Sequence, residues 1–209
     1  IGSEGTLGFV AEATFRTVPL APHSAAALAL FPTLDDAAEA ATGLVSHGFE
    51  AIELMDAASL RVARTQPGAP ALLLERELTT EAALLVELHE VDESVLATRL
   101  ASAAAALEDL KVIGRVALTT EVRHRNALVE LRRGLYALVA GARPSGSTTL
   151  LEDICVPPSE FAATCRDLAD LLNHSGYADA PLFAHARDGN IHVLLSERFD
   201  DPAGLLRHR

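Results

Sequence analysis

Strand-length apolar runs recur along this chain, with helix-length amphipathic runs between them. That alternation restricts the fold to a few layered architectures. Residues 24–31, 49–54, 82–90, 112–119, 148–156, 182–186 and 191–195 read as strands. Helices are expected over 33–47, from 56 to just before the turn-rich TQPGAP at 65–70, and over 93–110, 121–139 and 159–174. Thr33 can cap a helix, with Asp35 and Asp36 in its first turn near the positive end of the helix dipole. Asp56 can cap the next one, and Gly48, Gly141 and Gly176 stand where helices stop. Strands and helices broken by hairpins predict an α+β domain, a largely antiparallel sheet with helices layered on it.

The 209 residues suit one domain, or one domain with a piece of another. Hydrophobic residues make up 49%, enough for a sizeable core, yet aromatics are only 4% and Trp is absent, so that core must be built from Leu, Ala and Val. The net charge of −12 argues against a nucleic-acid partner, which needs clustered Lys and Arg. Cys155 and Cys165 form no CxxC pair, and two free thiols fit a reducing compartment. No apolar run is long enough to span a bilayer, and a cytoplasmic location is expected.

At the beginning of the chain Gly2, Gly5 and Gly8 are interleaved with Ser3, Glu4 and Thr6. Glycines at this density let the backbone approach a phosphate or pyrophosphate closely; they also suit a plain loop between strands. Phe9, Ala11, Ala13 and Phe15 then alternate with Glu12, Thr14 and Arg16, which reads as a half-buried strand ending at Pro19.

HARDGNIH, residues 185–192, is the best local constellation. Asp188-Gly189 is a two-residue hairpin signal. Centring the turn there pairs Arg187 with Asn190, Ala186 with Ile191 and His185 with His192, with the two histidine Cβ atoms roughly 4.5–5.5 Å apart. Two imidazoles so placed can share a divalent metal at about 2.0–2.1 Å per nitrogen, or form a plain cross-strand pair on a polar face. A catalytic zinc usually takes three protein ligands, and Glu197 is the carboxylate nearest in sequence. Arg132, with Arg133 on an expected helix, offers the planar fork that grips a carboxylate, although most helical arginines are solvated. Glu152 and Asp153 are adjacent in a strand and so point to opposite faces. Ser145, Ser147 and Thr148 have no paired base.

Three segments carry a family resemblance. IGSEGTLGFVAEATFRTVP resembles the end of the flavin-binding domain in FAD-linked oxidases of the vanillyl-alcohol-oxidase type. LFAHARDGNIHV resembles the FGHAGDGNLH motif of FAD-linked D-2-hydroxy-acid dehydrogenases, the group acting on D-lactate, D-2-hydroxyglutarate and glycolate. LRRGLYALVAGARPSGSTTLLEDICVP, residues 131–157, resembles the subgroup fused to an iron–sulfur domain. The departures are Ala184 and Arg187 where the motif has Gly, and Leu151-Glu152 where D-lactate-like relatives place a Lys before the Asp.

The resemblance implies residues 1–22 as the tail of the FAD-binding domain and 23–209 as a substrate (cap) domain, truncated at its C-terminus and built of ferredoxin-like βαβ units. It implies FAD contacts at Gly2, Ser3, Glu4, Gly5, Thr6 and Gly8. It assigns a divalent metal such as zinc or manganese to His185 and His192, and the substrate carboxylate to Arg132, with Arg143 replacing the missing Lys. The third ligand, a Glu, and a catalytic His belong to an AEHG motif, which these 209 residues do not contain. The implied reaction is oxidation of a D-2-hydroxy acid to the 2-oxo acid by hydride transfer to flavin, at a location cytoplasmic or peripheral to the inner membrane. Electrons then pass to an iron–sulfur cluster or a quinone. Residues 1–209 alone are expected to be colourless, to hold metal weakly or not at all, and to be inactive. The alternative is a non-catalytic α+β module that binds a metabolite or a partner protein.

Overall fold

Six of the expected strands pair into one sheet in the computed structural model, which describes residues 6–200 and 202–207. They are β1 (His23–Phe31), β2 (Ala51–Met55), β3 (Ala82–Glu90), β4 (Thr148–Cys155), β5 (Leu182–His185) and β6 (Asn190–Glu197). Their order is β1-β3-β2-β5-β6-β4, and every pairing among them is antiparallel. The helices are α1 (Leu34–Leu44), α2 (Ala57–Ala63), α3 (Ala71–Leu74), α4 (Glu93–Glu108), α5 (Val122–Arg133), α6 (Leu135–Ala142), α7 (Phe161–His174) and α8 (Pro202–Arg207).

The sheet joins two units. In the first, β3 lies between β1 and β2, so those two run parallel and are connected by a crossover through α1, as in a ferredoxin-like fold. β4, α7, β5 and β6 form the second, and the β2–β5 pairing fuses them. The predicted α+β class, with helices layered on an antiparallel sheet, is the fold observed.

Both faces of the sheet are covered. Ala25, Ala27, Ala29 and Phe31 of β1 face α1, α4 and α7, while Ala26, Leu28 and Leu30 face the layer of α2, α3, α5 and α6. Burial on two sides explains why β1 and β3 read as nearly continuous apolar runs rather than clean alternations. The predicted caps form. Thr33 accepts from the Asp36 amide at 3.1 Å and Asp56 from the Ser59 amide at 2.7 Å. Gly48, at φ +77, ends the helical turns that follow α1.

Other expectations fail for identifiable reasons. Residues 9–18 form no strand; Phe9, Val10, Phe15 and Val18 are exposed, and an extended run becomes a strand only with a neighbour for its backbone. Of the strand expected over 112–119, one antiparallel bridge remains, Ala26 with Thr119, along with the Ile113 amide donating to the Leu30 carbonyl. Gly114 at φ +81 bends the segment out of the ladder. The long helix expected over 121–139 is two, α5 and α6, separated at Gly134. Leu131, Leu135 and Val139 keep one buried stripe across that break, which is why the period reads as continuous. The short α3 was not expected.

Candidate functional site

The hairpin that carries both histidines is built differently from a two-residue turn. His185 pairs with Asn190, and His192 pairs with Phe183. Residues 186–188 form a 3-10 turn that closes on Gly189 at φ +71, so four residues separate the strands. Segment 153–156 of β4 and its end fixes this turn from outside. The Val156 amide donates to the Gly189 carbonyl at 2.9 Å, and the Asn190 amide group donates to Asp153 Oδ1 at 2.6 Å. His185 and His192 are therefore diagonal neighbours rather than direct partners. They still share a face, because Asn190 and His192 are two residues apart. Their rings lie 5.4 Å apart, edge to face.

That face is the α5/α6 side of the sheet, and four strands contribute to it. Glu53 of β2 is paired with His185, and Asp153 of β4 with His192. Glu53 Oε1 lies 2.8 Å from His185 Nδ1, and Asp153 Oδ1 lies 3.4 Å from His192 Nδ1. Arg132 enters from the last turn of α5, which the buried Leu131 anchors against the sheet. Its guanidinium sits 5.0 Å above the Phe183 ring, with Nε 2.8 Å from Glu53 Oε2 and Nη2 3.5 Å from His185 Nε2. Arg133, next in sequence, points away to Glu130.

Burial pushes the His192 imidazole below its ordinary value, and His185 and Arg132 act in the same direction against the opposing pull of Asp153. A neutral imidazole is the form that binds a metal. The polar atoms here are incompletely satisfied. Among the described residues, four buried side-chain atoms lack a hydrogen-bond partner, and three of them are Glu53 Oε2, Arg132 Nε and His192 Nδ1. Arg132 and Glu53 form a close ion pair, but the Nε–H is not aligned on the oxygen. Such a cluster fits a site that receives a polar ligand. No group of three His, Cys, Asp or Glu side chains among the described residues is arranged to hold a metal. The two imidazoles fit as part of a ligand set.

The remaining sequence candidates lie elsewhere. Arg143 closes its own loop, donating to the carbonyls of Ala140 and Ser147. Glu197 is on the opposite face, buried, and accepts from the Tyr177 hydroxyl. Arg187 donates to the Glu50 carbonyl, which ties the hairpin turn to β2. Gly2, Ser3, Glu4 and Gly5 lie outside the described residues, while Thr6 and Gly8 are exposed. Sequence reasoning missed Glu53 and Phe183. Glu53 left a signal, a carboxylate between the buried Ile52 and Leu54 in a short apolar strand.

Residues 20–207 match the family of FAD linked oxidases, C-terminal domain, and the chain belongs to that family. Its relatives include the mitochondrial D-lactate dehydrogenase [cytochrome] of Arabidopsis thaliana, 29% identical over 93% of this chain and 33% of the relative. Another is glycolate oxidase subunit GlcD of Bacillus subtilis (strain 168), 31% identical over 92% of this chain and 39% of the relative. The chain thus spans between a third and two fifths of the length of these relatives. Solved structures of the same fold include an alkyldihydroxyacetonephosphate synthase, with a TM-score of 0.66 at 14% identity over 99% of this chain and 41% of that one. P-cresol methylhydroxylase with substrate bound gives 0.57 at 15% identity over 91% and 42%. Among the described residues no helix is long and apolar enough to cross a membrane.

Proposed function

We propose that this chain is the substrate domain of an FAD-dependent dehydrogenase that oxidises a D-2-hydroxy acid to its 2-oxo acid. The observation that carries the reading is the meeting of Arg132, His185 and His192 on one sheet face, although α5 and the hairpin are far apart in sequence. The names of the relatives, D-lactate dehydrogenase and glycolate oxidase, support a 2-hydroxy-acid substrate. The family supports FAD as the hydride acceptor.

Arg132 presents the terminal nitrogens of its fork for the substrate carboxylate, since Glu53 occupies the Nε edge. His185 and His192 would hold a divalent metal such as zinc or manganese, which when bound supplies Lewis-acid polarisation of the α-hydroxyl. The hydride leaves the substrate Cα for the flavin, and the hydroxyl proton leaves to a base. Residues 1–22 belong in this reading to the flavin domain. Its support is the exposed run at 9–20, which joins no strand or helix, and a family match that begins at residue 20. Electrons then leave the flavin for a quinone or an iron–sulfur cluster, and two unpaired cysteines fit a cytoplasmic setting.

Anaerobic addition of D-lactate or D-2-hydroxyglutarate to the FAD-loaded full-length flavoprotein that carries this domain should bleach the visible flavin band, and the L enantiomers should not. The Arg132→Met variant should raise KM more than it lowers kcat. Failure of every D-2-hydroxy acid to reduce the flavin would refute the reading.

A further inference from the structure

We propose that Glu53 is a positioning residue, which orients the His185 ring and the Arg132 guanidinium together. The functional meaning rests on the reading above, in which His185 takes a metal and Arg132 a carboxylate. The two oxygens of Glu53 divide the work. Oε1 is 2.8 Å from His185 Nδ1, and an ionised carboxylate only accepts, so Nδ1 carries the proton. On the other side of the ring Nε2 faces Arg132 Nη2 at 3.5 Å, and a guanidinium only donates. Both neighbours select the same tautomer, with the Nε2 lone pair turned into the site. That lone pair is the one a divalent metal requires, and a carboxylate behind the ligating imidazole fixes both tautomer and ring orientation.

Oε2 lies 2.8 Å from Arg132 Nε. It holds the fork by its inner edge, with Nη2 beside His185 Nε2, while Phe183 supports the guanidinium face. The arrangement is rigid because Glu53 and His185 are directly paired residues on neighbouring strands rather than loop residues. A carboxylate placed only for stability would be expected to saturate its partner. Here Oε2 and Arg132 Nε both lack aligned hydrogen bonds, although the two side chains are only 12% and 14% exposed.

The direct test is the tautomer of His185 in the protein at pH 8, read from two-bond nitrogen–proton correlations with 15N-labelled histidine. The proton is expected on Nδ1 in the wild type, moving to Nε2 in Glu53→Ala and largely restored in Glu53→Asp. A wild-type His185 protonated on Nε2, or an unchanged tautomer in a folded Glu53→Ala variant, overturns the proposal. If Glu53→Ala does not fold, the wild-type tautomer decides alone. Calorimetric titration of the full-length protein that carries this domain with zinc and with manganese gives a second arm, in which Glu53→Ala should weaken binding by roughly 10–100-fold. Equal affinity in the two proteins overturns the positioning role. A wild-type protein that binds neither metal overturns instead the metal reading of His185 and His192, and the tautomer still decides Glu53.

Discussion

Replacing Gly189 by Ala should separate two costs that usually come together. Gly189 has φ +71, a left-handed conformation that costs an L residue about 1–2 kcal/mol. The surroundings add a second cost. A Cβ built there falls 1.9 Å from the Val156 carbonyl oxygen and 3.1 Å from its carbon. Both obstacles are backbone atoms, so no rotamer change clears them. The hairpin turn and the Val156–Pro158 segment would have to separate by roughly 1 Å or more, a forced shift of the kind that costs about 1–3 kcal/mol. That movement also strains the hydrogen bond from the Val156 amide to the Gly189 carbonyl. The sum is about 2–5 kcal/mol. Gly68 supplies the control, with φ +85 and nothing within 4 Å of a built Cβ. Gly68→Ala should therefore lose only the first, about 1–2 kcal/mol. Equilibrium urea unfolding of the wild type and both variants, followed by circular dichroism, measures the difference at constant m-value. Equal losses in the two variants, or a milder effect at Gly189, would refute the collision argument.

Three further outcomes follow from the packing. Arg132→Met leaves the Glu53 carboxylate buried without its guanidinium and should cost about 3–5 kcal/mol, much of it recovered in the Arg132→Met/Glu53→Gln double variant; additive losses in a double-mutant cycle would show that the pair is not coupled. Burial raises the Asp56 carboxyl to about 6, against the hydrogen bonds from Ser59, so the folded state holds a proton that the unfolded state has already released. Its contribution to stability is therefore greatest in acid and is lost as pH rises from about 4 through about 6. Asp56→Asn keeps a capping side chain and should gain on the wild type by roughly 3 kcal/mol between pH 4 and pH 7, and parallel stability curves would contradict this. Burial pushes the Cys165 thiol up to about 12, with Asp35 and Asp56 adding to it, whereas Cys155 is exposed. A thiol reagent should label one cysteine in the native protein and two in urea; rapid native labelling of both would mean that α7 does not seat Cys165 as the structure shows.

Local physics is legible in the sequence wherever partners are near neighbours. The Thr33 and Asp56 caps, the stop at Gly48 and the strands at 24–31 and 82–90 each depend on residues a few positions apart, and each forms as read. The shared face of His185 and His192 is also legible, because side chains alternate with a period of two whatever the turn. Which residues they oppose is not. The turn is set by the Gly189 and Asn190 bonds to β4 and its end, from a strand more than thirty residues away in sequence. The same limit explains residues 9–18, whose alternation cannot reveal whether a neighbouring strand exists, and 112–119, where one left-handed glycine undoes the ladder. Arg132 could be named from its family resemblance, but only the packing of α5 against the sheet brings its guanidinium beside His185 and Glu53. The sequence by itself determined the α+β class, the chain order of the six strands that pair and the family to which the chain belongs. Tertiary structure alone decided the site, because its distances are set by strand neighbours and helix packing that act between residues remote in the chain.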